Sequence, residues 1–153
     1  MDVIMFFAKK KKAVQATPTK GNGTKLVKGM GALFEWTGKD NVLAYFKDGT
    51  VYSDKKAELG TYSDNGDFMY DGKIIGSYSP SDSGGIIYLW ENYPSGMRKV
   101  AEFWNGQEYI HPDDESVQTI VFKGDPVGAA AAFVILYYGY GKQNSMMKQR
   151  FLK

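Results

Sequence analysis

The sequence predicts an all-β chain in which five repeated β-hairpins pack together into a closed, small propeller-like array. Three observations carry that expectation. The 153 residues include 18 Gly and 15% aromatics, a composition suited to strands and tight turns. An aromatic residue recurs at near-constant spacing. Asp-Gly or Asn-Gly steps stand between several recurrences, where a hairpin turn is expected.

The recurrence is clearest from Asp48 to Tyr78. "GALF" ends at Phe34, "GTVY" at Tyr52, "GDFMY" at Tyr70, "GIIY" at Tyr88 and "GQEY" at Tyr109, giving steps of 18, 18, 18 and 21 residues. A second series, "AYF" at Phe46, "GTY" at Tyr62, "GSY" at Tyr78 and "AEF" at Phe103, places a small residue two positions before an aromatic. The fifth unit, "SVQTIVF" ending at Phe122, keeps the aromatic and loses the small residue. Runs such as "GTVYS" and "AELGTYS" are rich in Val, Thr and Tyr and are split by "SDKK", so each unit reads as two short strands and a turn. "KDG", "DNG", "SGG" and "WNG" link the units, and type I′ turns are expected there. A lone hairpin is barely stable in water, so the units must share a buried face. The repeated aromatics Phe34, Tyr52, Tyr70, Tyr88 and Tyr109 are its expected core. Ala44, Gly60, Gly76 and Ala101 are expected to let the chain approach closely near an axis, where a larger side chain would clash.

Over residues 31–138 this pattern of strand, turn, "G-x-Y" and "DG" or "NG", followed by an apolar tail, resembles the bacterial five-fold β-flower proteins. The resemblance implies short hairpins arranged as petals around a central axis. Two units depart from regularity. The fourth carries the insertion "LWENYPSGMRKV" (Leu89 to Val100), and the fifth has "IHPDDES" (Ile110 to Ser116) as its turn.

Flanking the repeats, three segments are expected: a basic arm over 1–28, the hairpin domain over 29–141, and a polar tail over 142–153. The arm holds seven Lys against Asp2 alone, a net +6, which leaves −4 on the remainder. A solubilising tail is the plain reading of such a charge run. Lys9, Lys10, Lys11 and Lys12, beside Met5 to Phe7, would also suit contact with an anionic membrane surface. Nucleic acid is disfavoured, because the arm has no Arg and the following domain is acidic. The apolar run "GDPVGAAAAFVILYYGYG" reads as a helix capped by Asp125, opened by Pro126, stopped at Gly139 and buried against the open end of the array. A buried strand over Ala132 to Tyr138 is the competing reading. The tail reads as a short second helix or a frayed end. The N-terminal order is the reverse of a secretion signal, so a cytoplasmic protein is expected, although a processed secreted chain would read the same.

No Cys is present, which excludes disulfides, thiolate catalysis and thiolate metal sites, and a single histidine, His111, cannot build a zinc centre. "PDDES" lacks the ligand spacing of an EF-hand loop, no nucleophile elbow occurs, and "GYGKQN" follows a helix instead of a strand. No cofactor and no metal are therefore expected. The leading expectation is a non-enzymatic structural or protein-interaction module, self-associating or binding a protein partner through exposed hairpin edges and the apolar tail. The first alternative is a carbohydrate- or peptide-binding module using Trp90, Tyr93, Trp104, Asn105 and Tyr109 of the irregular fourth and fifth units. The second is a small hydrolase built on His111 with Asp113 or Asp114.

Overall fold

Short alternating segments broken by turns give ten strands in chain order: β1 (Met30–Glu35), β2 (Gly38–Lys47), β3 (Thr50–Ser53), β4 (Glu58–Tyr62), β5 (Asp67–Tyr70), β6 (Lys73–Ser81), β7 (Gly84–Asn92), β8 (Ser95–Trp104), β9 (Tyr109–Pro112) and β10 (Ile120–Gly124). The computed structural model describes residues 29–36 and 38–153; the arm with Lys9 to Lys12 lies outside them. Each strand pairs antiparallel with its sequence neighbours, and β1 pairs with β10 from Gly31↔Gly124 to Phe34↔Val121, so the sheet closes into a ten-stranded barrel. The all-β expectation holds at this level. Ladders also join successive units, as in Thr61↔Met69 between β4 and β5 and Tyr78↔Ile87 between β6 and β7. Closure removes the free edges on which pairing with another chain was expected to rest.

Turn chemistry accounts for the register only in part. Asp48 (φ 48°) and Gly49 (φ 90°) form the expected type I′ step between β2 and β3, and Asp71 (φ 54°) with Gly72 (φ 76°) does the same between β5 and β6. At Asn65-Gly66 and Asn105-Gly106 only the glycine has a positive φ. Their Asn side chains bond elsewhere instead, Asn65 to the Ser63 hydroxyl and Asn105 through Nδ2 to the Asp82 carbonyl at 2.8 Å.

The repeated aromatics are not the core. Phe34, Tyr52, Tyr70, Tyr88 and Tyr109 are all half-buried, whereas Leu33, Val51, Phe68, Ile87 and Ile110, one or two places away, are fully enclosed. The period-2 pleat explains the four adjacent pairs, in which the aliphatic side chain points inward and its aromatic neighbour is left on the wall, while at Phe68 and Tyr70, two apart, the register shift between Phe68 and Met69 breaks the alternation. Phe46, Tyr62, Phe103 and Phe122 of the second series do turn inward. The Tyr62 hydroxyl lies against Gly128 without a hydrogen-bond partner among the described residues, and burial pushes its pKa up to about 12.

What fills the barrel is the apolar run itself. α1 (Pro126–Phe133) continues as a π-helical turn over Val134–Gly139, and Ala129 to Leu136 are completely buried. The helical reading of Ala132 to Tyr138 thus holds over the strand reading. Asp125 caps α1, its carboxylate accepting from the amides of Val127 (3.2 Å) and Gly128 (3.4 Å), with Pro126 in the first turn. The helix packs on β1 to β6 and β10, so it runs inside the barrel instead of closing its mouth. A helix surrounded by sheet has to be apolar on every side. Small wall residues make room for it: a Cβ on Gly60 would stand 2.9 Å from Ile135 Cδ1, and one on Gly76 would stand 2.8 Å from Val134 Cγ1. The expected axis of close approach is therefore a helix.

The C-terminal residues seal the far end. After a 3₁₀ turn (Tyr140–Lys142), α2 (Ser145–Gln149) is capped by the Asn144 side chain, and Phe151 is fully buried. Arg150 ties this plug to the wall, donating to Glu35 and Asp54 at 2.8 and 3.0 Å and to the Val42 carbonyl at 2.9 Å. The tail is a closing element and not a frayed end. Among the described residues no helix is long and apolar enough to cross a membrane.

Candidate binding face on the outer wall

With the lumen occupied by the chain's own helix, a ligand site has to lie outside. The outer wall carries a row of rings across β8, β9 and β1. His111 stacks on Trp104 (centroids 3.8 Å, 21° between planes), Tyr109 meets His111 edge-on at 6.3 Å, and Trp36 meets Tyr109 edge-on at 5.5 Å. Strand alternation explains the row: Tyr109 and His111 are two apart on β9 and share a face, and Glu102↔His111 brings β8 alongside. Barrel closure contributes the remaining ring. Val121 pairs with both Tyr109 and Phe34, so β10 bridges the fifth unit to the first and sets Trp36 beside Tyr109. Under Trp36 and Tyr109 lies a pocket of about 550 Å³ floored by Phe34 and Val121 and edged by Gln107, Glu108 and Lys123.

Charged groups hold the row in place. The Trp104 indole N–H donates to Glu102 Oε2, Lys99 donates to Asp113 (2.7 Å) and pairs with Glu102 (3.0 Å), and His111 Nε2 lies 2.9 Å from Gln107 Oε1. Trp104 is thus fixed by one face and one edge, and the rest of the ring stays in solvent, with 46% of the residue exposed. The hydrogen bond from Trp104, together with Lys99, holds the Glu102 carboxyl below its ordinary range. The bond to Asp113 raises Lys99. Burial pushes the His111 imidazole below its usual value, with the Glu102 charge pulling the other way.

The five residues expected to bind together are separated. Trp104 and Tyr109 belong to the row. Asn105 sits beside it but is engaged with the β6–β7 turn, its amide N–H donating to Ser83 O and its side chain to Asp82 O. Trp90 and Tyr93 form their own edge-on pair at 4.9 Å on the β7–β8 hairpin, where Trp90 Nε1 donates to Ser77 Oγ at 2.9 Å. Trp90 pairs with Met97 and Gly84 with Trp104, so the two indoles are about 20 Å apart along the hairpin at ~3.3 Å per residue. Trp36, Phe34, Val121 and Lys123 are the site residues that sequence reading missed. The available signal was closure, since a closed array of five units must put the first beside the fifth.

Each acid-base group of the hydrolase reading has a partner of its own. His111 is bonded to Gln107, Asp113 to Lys99, and Asp114 to Ser116, whose hydrogen bonds lower the Asp114 carboxyl. Among the described residues no three His, Asp or Glu side chains gather as metal ligands would. No protein-family model, curated protein or solved structure matches the chain.

Proposed function

We propose that this protein is a non-enzymatic binding module that takes a carbohydrate on the outer wall of its barrel. The observation that supports this best is the row Trp104, His111, Tyr109 and Trp36 beside an open pocket. Sugars present apolar C–H faces and hydroxyl edges, so a flat aromatic platform rimmed by Gln107, Glu108 and Lys123 offers both the stacking and the hydrogen bonds they need. The fixed rings add preorganisation, because Trp104 and His111 are already immobilised before a ligand arrives. A peptide would be a poorer fit, since the closed barrel offers it no strand edge to extend. On this reading the hairpin repeat is the scaffold, and its likeness to the β-flower proteins rests on the 18-residue spacing of Phe34, Tyr52, Tyr70 and Tyr88.

A protein partner is the second reading. It is favoured by the β7–β8 hairpin, where Tyr93 and Met97 are about half exposed. The two readings separate in one set of measurements. A glycan array probed with the full chain should return hits whose affinity falls about tenfold or more in Trp36→Ala and Tyr109→Ala, with little change in Tyr93→Ala. An array without hits would sink the carbohydrate assignment.

A further inference from the structure

A second concavity opens beyond Lys123, on the wall of β10, β1, β2 and β3. Its volume is about 580 Å³, within the range of small-molecule sites, and Met30, Ala32, Tyr45 and Tyr52 line it together with Lys47, Lys56 and Lys123. Cross-strand pairing builds it. Lys123, Ala32, Tyr45 and Tyr52 are successive partners across the four strands, and the small Ala32 between larger neighbours leaves the floor low. Met30 pairs with Lys47 along the rim, with 62% of it exposed.

The cations converge on an apolar floor. Lys56 Nζ stands 5.4 Å from the centroid of the Tyr45 ring. Its backbone is in the left-handed region (φ 68°), where Gly or Asn would be relaxed, so a residue ill-suited to the turn carries the ammonium that reaches the groove. Among the described residues neither Lys47 nor Lys56 ion-pairs with a carboxylate, while Lys123 pairs with Glu108 at 3.3 Å. The neighbouring Asp48 is engaged by the Gly29 amide at 3.0 Å.

We infer that this groove binds a free amphipathic carboxylate, its apolar body on Tyr45, Tyr52 and Ala32 and its anionic group among Lys47, Lys56 and Lys123. A bare inorganic anion would leave the apolar floor unused, and an uncharged tail would leave the Lys47 and Lys56 ammoniums unanswered. The groove shares Lys123 with the carbohydrate face as a common rim, but its floor and its other two cations are its own, and the inference does not rest on the carbohydrate reading.

Isothermal titration of the full chain, with decanoate kept below micelle formation, tests the assignment. Decanoate should bind one to one. Decanol, with the same tail, should bind at least about tenfold more weakly, and inorganic phosphate should give no heat. The double substitution Lys47→Gln, Lys56→Gln should weaken decanoate about tenfold or more with an unchanged melting temperature, while Trp36→Ala leaves it unaffected. Absence of decanoate binding, equal affinity for decanol, indifference to the double substitution, or binding only to anionic phosphatidylglycerol vesicles would each overturn it.

Discussion

The inner and outer faces of the same ten strands follow opposite rules. Inside, Gly60 and Gly76 are matched to Ile135 and Val134 of the helix, and the side chains with no exposure at all are Ala, Val, Ile, Leu and Phe. Outside, rings and ammoniums sit half-exposed on the alternate positions, held by charge networks and pockets. The pleat is what allows this, because successive side chains belong to different faces and can be selected for different ends. Two positions one residue apart, such as Leu33 and Phe34, then line the core and the outer pocket separately. Substitutions inside should therefore cost stability and leave binding to follow, whereas substitutions outside should change binding in a folded protein.

The largest effect should come from the helix. Phe133 is fully buried and stacks on Tyr137 and against Phe151. Phe133→Ala should destabilise the protein by about 3–5 kcal/mol, through lost burial and the cavity left behind, against a typical total of about 5–15 kcal/mol. Chemical denaturation measures it directly, and a loss below about 1 kcal/mol would mean that the helix does not fill the barrel.

Next comes the wall that faces it. A Cβ at Gly76 would stand 2.8 Å from both the Tyr88 carbonyl oxygen and Val134 Cγ1. Gly76→Ala should cost about 1–3 kcal/mol by overpacking. The addition of Val134→Ala should recover part of that cost, since only one of the two clashes is with a side chain that can be trimmed. Additive losses in the double-mutant cycle would show that the two positions do not touch.

How much of this was legible in the sequence follows from the same division. Composition and turn residues marked the strands, and Asp125-Pro126 marked the start of the helix, because these signals are local. The small residues Gly60 and Gly76 were legible as sites of close approach, but what approaches them is 58 to 75 residues away in the chain, at Val134 and Ile135. The repeated aromatics misled because spacing alone fixes position along a strand and not the face. Leu33 and Phe34 share the same spacing in the repeat, and only the pairing between strands decides which of them turns inward. The pocket beside Trp36 was hidden for a related reason: its residues come from both ends of the chain and meet only where β1 pairs with β10.

The plug should respond more mildly than the core. Arg150 bridges Glu35 on β1, the Val42 carbonyl on β2 and Asp54 in the β3–β4 turn, with side chains 20–30% exposed. Arg150→Ala should cost about 1–2 kcal/mol, mostly from leaving those acceptors unanswered, and solvent at this rim limits the loss. Hydrogen exchange should speed at Gln118 and Phe151, which are joined by a backbone hydrogen bond, with the central strands keeping their protection. Uniform acceleration would show that the plug is not a separate opening unit.

The smallest effect is also the cleanest to read, because His111 is the only histidine in the chain. Its imidazole, stacked on Trp104 and partly buried, should titrate below the ordinary 6.5 in the folded protein. The fold thus favours the neutral ring, and the unfolded chain binds the extra proton first as pH falls. The stabilisation is complete above about pH 6.5 and declines as acid carries the solution down through the folded-state value. The ring protons of His111 followed by NMR give that value. Glu102→Gln should lower it further, by removing the charge that favours the imidazolium. Trp104→Ala should move it back towards 6.5 by exposing the ring. A wild-type value at or above 6.5 would mean that the indole does not shield the imidazole, and the outer row would lose one of the contacts that hold it rigid.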